Sequence, residues 1–492
     1  MTDIKRREFL KTLGITAVTF SIPGLGALSS NSCSGTSSKK PNIILILVDD
    51  MGWTDAVCYG SQYYETPNID RLAQEGMKFT DSYASCAVCS PTRASIMTGR
   101  YPVRLGITDW IRGRFQGGTV PLDGQNPSGY VGNENTKLLC PQNKRWLELD
   151  EITMAEVLKP AGYVSCHIGK WHLGFEEWYP DKQGFDINIG GCDYGQPPSY
   201  FDPYFRKDHG YIPTLPPRKV GEFLTDREAD EAVHFIEDNK NKPFFLYMAH
   251  YAVHTPLEGK NDVVRKYASR PPTNQDNATY AAMVESVDDS VGKILDKLDE
   301  LGMAKDTLIL FTSDNGGYLN ATHNAPLRSG KGYPYEGGIR VPLIVRWPGK
   351  IESGSENKTP VTSVDYFPTV CEAASVPIPD DRSIDGLSLL SLLTQKSSLE
   401  RDELFWHFPH YRGEIMPYSI IRSKDWKLIK RYEGQTYELF NLREDLSEEF
   451  DLSKKHPEKV VELNQKLEVW LKETKAKMPK PNPNYNPVQK KS

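Results

Sequence analysis

From Pro41 onward, uninterrupted apolar runs alternate with segments in which apolar side chains recur every three or four positions. The run Asn42–Val48 (NIILILV) has no polar position after its first, as expected for a central parallel strand covered on both faces. Further strands are predicted at Tyr163–Ile168, Phe244–Met248, Thr307–Phe311 and Val341–Val345. Helices are predicted between them. Thr66-Pro67 offers an N-cap and a first-turn proline, with Gly76 as a stop, and Thr225 with Glu228 has capping-box spacing ahead of another helix. The clearest helix places Tyr280, Met283, Val284, Val287, Val291, Ile294, Leu295 and Leu298 on one face and ends at Gly302. Strands alternating with helices predict an α/β fold, a large mostly parallel or mixed sheet sandwiched by helices.

The texture changes after about Gln395. Short strands are predicted at Leu404–His407, Ser419–Arg422, Trp426–Arg431 and Tyr437–Asn441, followed by a helix near Pro457–Lys472. This reads as a small C-terminal antiparallel sheet plus helix, ending in a Lys/Pro/Asn-rich tail expected to be disordered. The stretch Gly106–Arg145, rich in Gly, Asn and Arg, reads as a long loop and a candidate for ligand contacts.

Composition narrows the picture little. The 492 residues are 38% hydrophobic and 25% charged, with a net charge of −6, which gives no general attraction for nucleic acid. Lys5-Arg6-Arg7 ahead of the apolar Leu13–Leu28 stretch reads as an export signal over residues 1–33 and resembles a twin-arginine signal, with Lys5 where Ser or Thr is usual. Cys33 is a candidate lipid-attachment site, although Ser30 stands where an apolar residue is expected. Export permits disulfides, but spacing alone does not give a pairing, and no duplicated CxxC suggests a zinc ribbon.

Ligands of open parallel sheets bind beyond the carboxyl ends of the strands. The predicted strands run into Asp49-Asp50, into Gly169-Lys170-Trp171-His172, into His250 and His254, and into Asp314-Asn315. Each piece alone has an ordinary reading as a turn, a cap or a solvated loop. Together they place carboxylates, an amide, a lysine and histidines at one crevice. Gathering Asp49, Asp50 and Asp314 there requires a cation. Hard oxygen donors, with no histidine close to either acidic pair in sequence, select calcium, with magnesium second.

Cys89-Ser90-Pro91-Thr92-Arg93, followed by Thr98-Gly99-Arg100, places Cys89 at a predicted helix N-terminus, where free N–H groups favour an anion. A low-pKa thiol nucleophile or a structural cysteine would fit that position as well. CSPTR with TGR resembles the formylglycine signature of type I sulfatases. NIILILVDD, GKWHLG at 169–174, HTP at 254–256, SDNGG at 313–317 and GGIRVPLIVRWPG at 337–349 are similar to sulfatase segments in the same order. Thr92 departs from the Ser found in many members.

The resemblance implies an alkaline-phosphatase-like fold and a cysteine converted to an aldehyde by a maturation enzyme. One hydroxyl of the aldehyde hydrate then attacks sulfur, and the second allows sulfate to be eliminated. It implies calcium held by Asp49, Asp50, Asp314, Asn315 and the modified Cys89. Arg93, Lys170 and Lys331 would hold the hydrate or the sulfate, His172 would act as base, and His254 as acid toward the leaving oxygen. Residues 38–398 then form the catalytic domain and 399–480 the C-terminal subdomain, with 481–492 as tail. The expected substrate is a sulfated carbohydrate, contacted by Trp110, Arg112 and Arg114, and the expected place is the periplasm or surface of a bacterium, touching membrane only through a lipid at Cys33. The competing readings are a formylglycine-dependent phosphonate or phosphate ester hydrolase and a non-catalytic glycan-binding lipoprotein.

Overall fold

A computed structural model of the protein describes residues 40–486. The expected export signal and Cys33 lie outside the described residues. The central sheet has eight strands: β1 (Asn42–Val48), β2 (Met77–Phe79), β3 (Val164–Gly169), β4 (Ile187–Ile189), β5 (Phe244–Ala249), β6 (Thr307–Ser313), β7 (Leu343–Arg346) and β8 (Ser355–Asn357). Their spatial order is β8-β2-β7-β6-β1-β5-β3-β4, and β7 alone runs against the others.

Every residue of β1 is buried, and alternate side chains enter different cores. Ile44, Ile46 and Val48 pack with helices α1 (Pro67–Gln74), α3 (Leu224–Asp238) and α4 (Ala278–Glu300). Ile43, Leu45 and Leu47 pack on the opposite face with α2 (Cys89–Thr98) and α5 (Tyr366–Ala373). All eight residues of the periodic face predicted for α4 are buried.

Two predicted caps do not form. The Thr66 hydroxyl accepts from Val57 N–H (2.8 Å) instead of capping α1. The helix expected to follow a Thr225/Glu228 capping box starts one residue before Thr225, and Glu228 is drawn to His250 Nδ1 at 2.7 Å. Tertiary partners outcompete the local bond in both cases.

The C-terminal part is an antiparallel sheet of β9 (Glu403–Phe408), β10 (Tyr418–Ser423), β11 (Trp426–Arg431) and β12 (Thr436–Asn441), with α6 (Pro457–Glu473) on one face. Ile421, Leu428 and Leu439 meet Leu467 and Trp470 of α6. Their neighbours Ile420, Ile429 and Phe440 face the other way, onto Tyr83, Ala87, Val88 and Ile339. The small sheet is thus pressed against the segment that leads into α2.

A buried ion cluster locks this contact. Lys427 Nζ lies 2.9 Å from Glu336 and 2.8 Å from Glu448, with all three side chains fully buried. Arg340 joins the cluster through Glu336 at 2.7 Å.

The expected disorder from residue 481 does not hold for 481–486. Pro481 pairs with Leu138, and Asn482 Nδ2 donates to the carbonyls of Asn133 and Thr136 (2.8 and 2.7 Å). The long loop offers an open strand edge over Leu138–Pro141, which the tail completes.

Lys427→Met leaves two carboxylates buried without their shared cation. We expect a loss of about 3–5 kcal/mol in chemical unfolding. A change under about 1 kcal/mol would show that the cluster does not hold the two sheets together.

Candidate active site

Strands β6, β1, β5 and β3 lie side by side and parallel, so their carboxyl ends open on one crevice. Asp49-Asp50 follow β1, Lys170 and His172 follow β3, His254 follows β5, and Asp314-Asn315 follow β6. Gly169, at φ +91°, turns the chain into Lys170. A Cβ at that position would lie 2.1 Å from the Ala249 carbonyl, so only glycine fits. Asp50 and His172 hold left-handed backbone (φ +63° and +60°), an uncommon conformation that the surrounding bonds impose.

Helix α2 starts at Cys89 with no side chain capping its first N–H groups, and Gly99 closes it in left-handed conformation. The Thr92 hydroxyl accepts from Cys86 N–H (3.2 Å) and reaches the Cys86 carbonyl (3.1 Å), so the residue that departs from the common Ser serves the turn before the helix. Cys86, like Cys89, is buried and unpaired, and all seven described cysteines are free.

Three carboxylates and three cations meet below Cys89, almost all without solvent contact. Lys170 Nζ lies 2.6 Å from Asp49 Oδ2, and Lys331 Nζ lies 2.5 and 2.8 Å from the two Asp50 oxygens. Arg93 gives Nε to Asp314 Oδ2 (2.8 Å) and Nη1 to the Lys170 carbonyl (2.7 Å), with no hydrogen bond to the Cys89 side chain. Burial raises the Asp49 and Asp314 carboxyls to about 6, against the pull of Lys170 and Arg93. Burial also raises Asp50, but Lys331 with His254 and Lys170 outweighs it and holds that carboxyl low.

The two histidines are set differently. The Ile111 carbonyl accepts from His172 Nε2 at 2.5 Å, which leaves Nδ1 unprotonated and 3.3 Å from Cys89 Sγ. Burial and the nearby Lys170 keep this ring neutral. His254 is the more open of the two. Its Nδ1–H donates to the Thr255 carbonyl (2.9 Å) and its Nε2 faces Asp50 at 3.6 Å. Sequence spacing places no histidine near the acidic pairs, but the fold brings His254 there. Burial and then Lys331 lower its pKa to about 3.

The donors suit a hard divalent cation. Asp49, Asp50 and His254 gather within 4.8 Å of one another, and of these the two carboxylates are the hard donors. Asp49 Oδ1 and Asn315 Oδ1 are buried acceptors with no hydrogen-bond partner, oxygens that a bound ion would satisfy. Asn315 turns its Nδ2 to Asp50 Oδ1 (2.8 Å), which orients its oxygen.

The predicted ligand-contact residues separate into two places. Arg112 lies over Trp110 (5.7 Å to the ring centroid) in a groove beside the site. Arg114 instead lies over Phe175 (5.8 Å) and 3.9 Å from Glu176.

The sulfatase family model matches residues 41–376, and a model described as N-sulphoglucosamine sulphohydrolase, C-terminal, matches 330–477. A sulfatase of Formosa agariphila is 34% identical over 90% of this chain and 91% of its own. Human N-acetylgalactosamine-6-sulfatase is 35% identical over 80% of this chain and 73% of its own. A crystal structure of Ps i-CgsB in complex with k-i-k-neocarrahexaose superposes with a TM-score of 0.74 at 31% identity, covering 88% of this chain and 93% of that one. The chain belongs to the sulfatase family, whose chemistry is sulfate-ester hydrolysis.

Calcium added to protein stripped with a chelator is expected to raise the melting temperature, by about 2.7 kcal/mol of stability at a hundredfold excess over its dissociation constant. Asn315→Ala removes one unpartnered oxygen and should lose most of that rise. An equal rise in both proteins would place the ion elsewhere.

Proposed function

We propose that this sulfatase hydrolyses a sulfate ester on a carbohydrate, with formylglycine made from Cys89 by a maturation enzyme and a calcium ion held by Asp49, Asp50, Asp314 and Asn315. The observation that carries the reading is the bare Nδ1 of His172, 3.3 Å from residue 89 in a pocket of paired charges and unpartnered oxygens. When present, the hydrated aldehyde supplies two hydroxyls on one carbon, and calcium supplies Lewis acidity toward oxygen.

The chain's own residues do the rest. The three carboxylates and three cations of the pocket cancel, so a divalent ion leaves it net positive toward an anionic ester. Lys170 and Lys331, held by Asp49 and Asp50, present ammonium groups to the ester's oxygens. Arg93 keeps Asp314 and the Lys170 turn in register, which makes it a positioning residue. His172, its Nε2–H fixed on Ile111, receives a proton at Nδ1 from residue 89.

His254 serves the leaving alcohol. Its Nδ1–H is committed to Thr255, so any proton at Nε2 makes it an imidazolium, which burial and Lys331 oppose in the free site and which Asp50 and an entering anion favour. Sugar alcohols are poor leaving groups and need that acid, whereas 4-nitrophenol leaves without one.

The carbohydrate assignment is supported by the names of the relatives, an N-acetylgalactosamine-6-sulfatase and a protein crystallised with a neocarrahexaose, and by Trp110 and Arg112 beside the site. The N-terminal Arg6-Arg7 segment and its apolar run support export to the periplasm or surface of a bacterium, with Cys33 a candidate anchor. No described helix is long and apolar enough to cross a membrane.

The decisive measurement is a peptide mass for Phe79–Arg93 from protein made with formylglycine-generating machinery. An aldehyde at residue 89 is expected. A thiol there, beside a known sulfatase that is converted in the same cells, would defeat the mechanism. With converted protein, turnover of sulfate esters is expected to exceed that of matched phosphonate and phosphate esters, and the reverse order would favour the phosphonate-hydrolase reading. His254→Ala should lose about 10²–10⁴-fold on a sugar sulfate and far less on 4-nitrophenyl sulfate. Equal losses on both would remove its role as acid.

A further inference from the structure

Beside the site stands an arginine whose guanidinium has no ion-pair partner at bonding distance among the described residues. Arg412 lies in the tight connection between β9 and β10, its backbone closed by paired bonds with Ile415 (2.9 and 3.0 Å). Among the described residues its guanidinium makes no ion pair and no side-chain hydrogen bond, although Nη1 is shielded from solvent. An unpaired buried donor is costly and rare unless a ligand satisfies it.

The surroundings of Arg412 belong to the reaction centre on both sides. It lies 6.0 Å from the Trp110 ring centroid, and Arg112 lies over the same indole at 5.7 Å. Trp110 precedes Ile111, whose carbonyl holds His172. A Cβ at Gly332 would lie 3.4 Å from Arg412 Cδ, and Gly332 follows Lys331, which holds Asp50. Arg412 also opposes the charge of Lys331, and the buried Asp109 is a counter-charge that Arg412 and Arg112 share. One carboxylate offsets only part of the charge of two arginines and a lysine, and a ligand oxyanion would offset more of it. The approach of the Arg412 guanidinium carbon to the Trp110 ring leaves its N–H donors unmet.

We propose that Arg412, with Arg112 across Trp110, binds a second oxyanion of the substrate, so that the protein prefers carbohydrates carrying a sulfate or carboxylate next to the scissile sulfate. The proposal rests on the sulfate-ester reading for the identity of the neighbouring centre. A guanidinium fork grips either oxyanion through two N–H groups. The adjoining groove, about 560 Å³ and lined also by Arg145 and Tyr411, has room for the next ring.

Binding tests this without turnover. Calorimetry on the full chain in its thiol form, with calcium, would use three disaccharides sharing one sulfated hexosamine. Their neighbouring ring is a neutral hexose, a uronic acid or a sulfated hexose. One charged partner is expected to bind about 10- to 100-fold more tightly than the neutral one, and which one does so distinguishes carboxylate from sulfate. Arg412→Ala should erase the preference. Arg412→Lys, which keeps the charge but not the fork, should retain part of it and decides the matter if the alanine variant melts early. Arg443→Ala, at an exposed arginine of the same subdomain that pairs with Asp425, serves as the control and should keep the preference. Equal binding of all three sugars, or a preference that survives Arg412→Ala, overturns the proposal. Failure of the sulfate-hydrolysis reading shows separately, as an unconverted Cys89 or no turnover.

Discussion

Three carboxylates that never meet solvent sit at the centre of this protein, and the surrounding structure answers the cost of burying them together. Asp49, Asp50 and Asp314 come from adjacent parallel strands, so the sheet itself forces them into one crevice. Like charges in so dry a place cannot all remain ionised unaided. Each therefore receives its own cation: Lys170 from the end of β3, Lys331 from the loop after β6, and Arg93 from α2. Even so, Asp49 Oδ1 and Asn315 Oδ1 keep no partner, so the protein alone does not complete the site. The left-handed backbone at Asp50 and His172 belongs to the same arrangement, since both depart from extended geometry where the chain must turn inward.

The small C-terminal sheet takes part in this centre. One of its faces covers Val88 and Ala87, immediately before Cys89, and its β9–β10 connection carries Arg412 to Lys331 and Trp110. The Glu336–Lys427–Glu448 cluster holds that sheet in place from the segment that follows Lys331. A charge network far from the chemistry thus sets where a candidate substrate contact stands.

Several features are legible in the residues alone. Continuous apolar runs marked β1, β5 and β6 within two residues of their ends, because strands buried on both faces are apolar through their middles. The long periodic face of α4 was equally clear. The strand-end rule placed Asp49, Asp50, Lys170, His172, His254, Asp314 and Asn315 together, since parallel strands discharge their loops on one side. The CSPTR motif carried Cys89 and Arg93 to the same place. Local signals with a single partner fared worse. The Thr225/Glu228 box failed because His250 offers Glu228 a buried charge-assisted bond, and the tail after residue 480 found a strand edge that no local pattern announces.

Relations between residues remote in sequence come from packing alone. The tautomer of His172 depends on a carbonyl 61 positions earlier. The closeness of His254 to Asp50, and the separation of Arg114 from Trp110 and Arg112, follow from loop paths rather than from composition. Arg412 had no signal at all. It lies in an ordinary turn of a peripheral sheet, and its meaning comes from an unmet donor that only packing reveals. Sequence determined which chemistry the chain can perform, because strand periodicity and residue type carry that information locally. The fold decided which groups stand close enough to share a proton or a charge, because such interactions act over a few ångströms in space, whatever the separation along the chain.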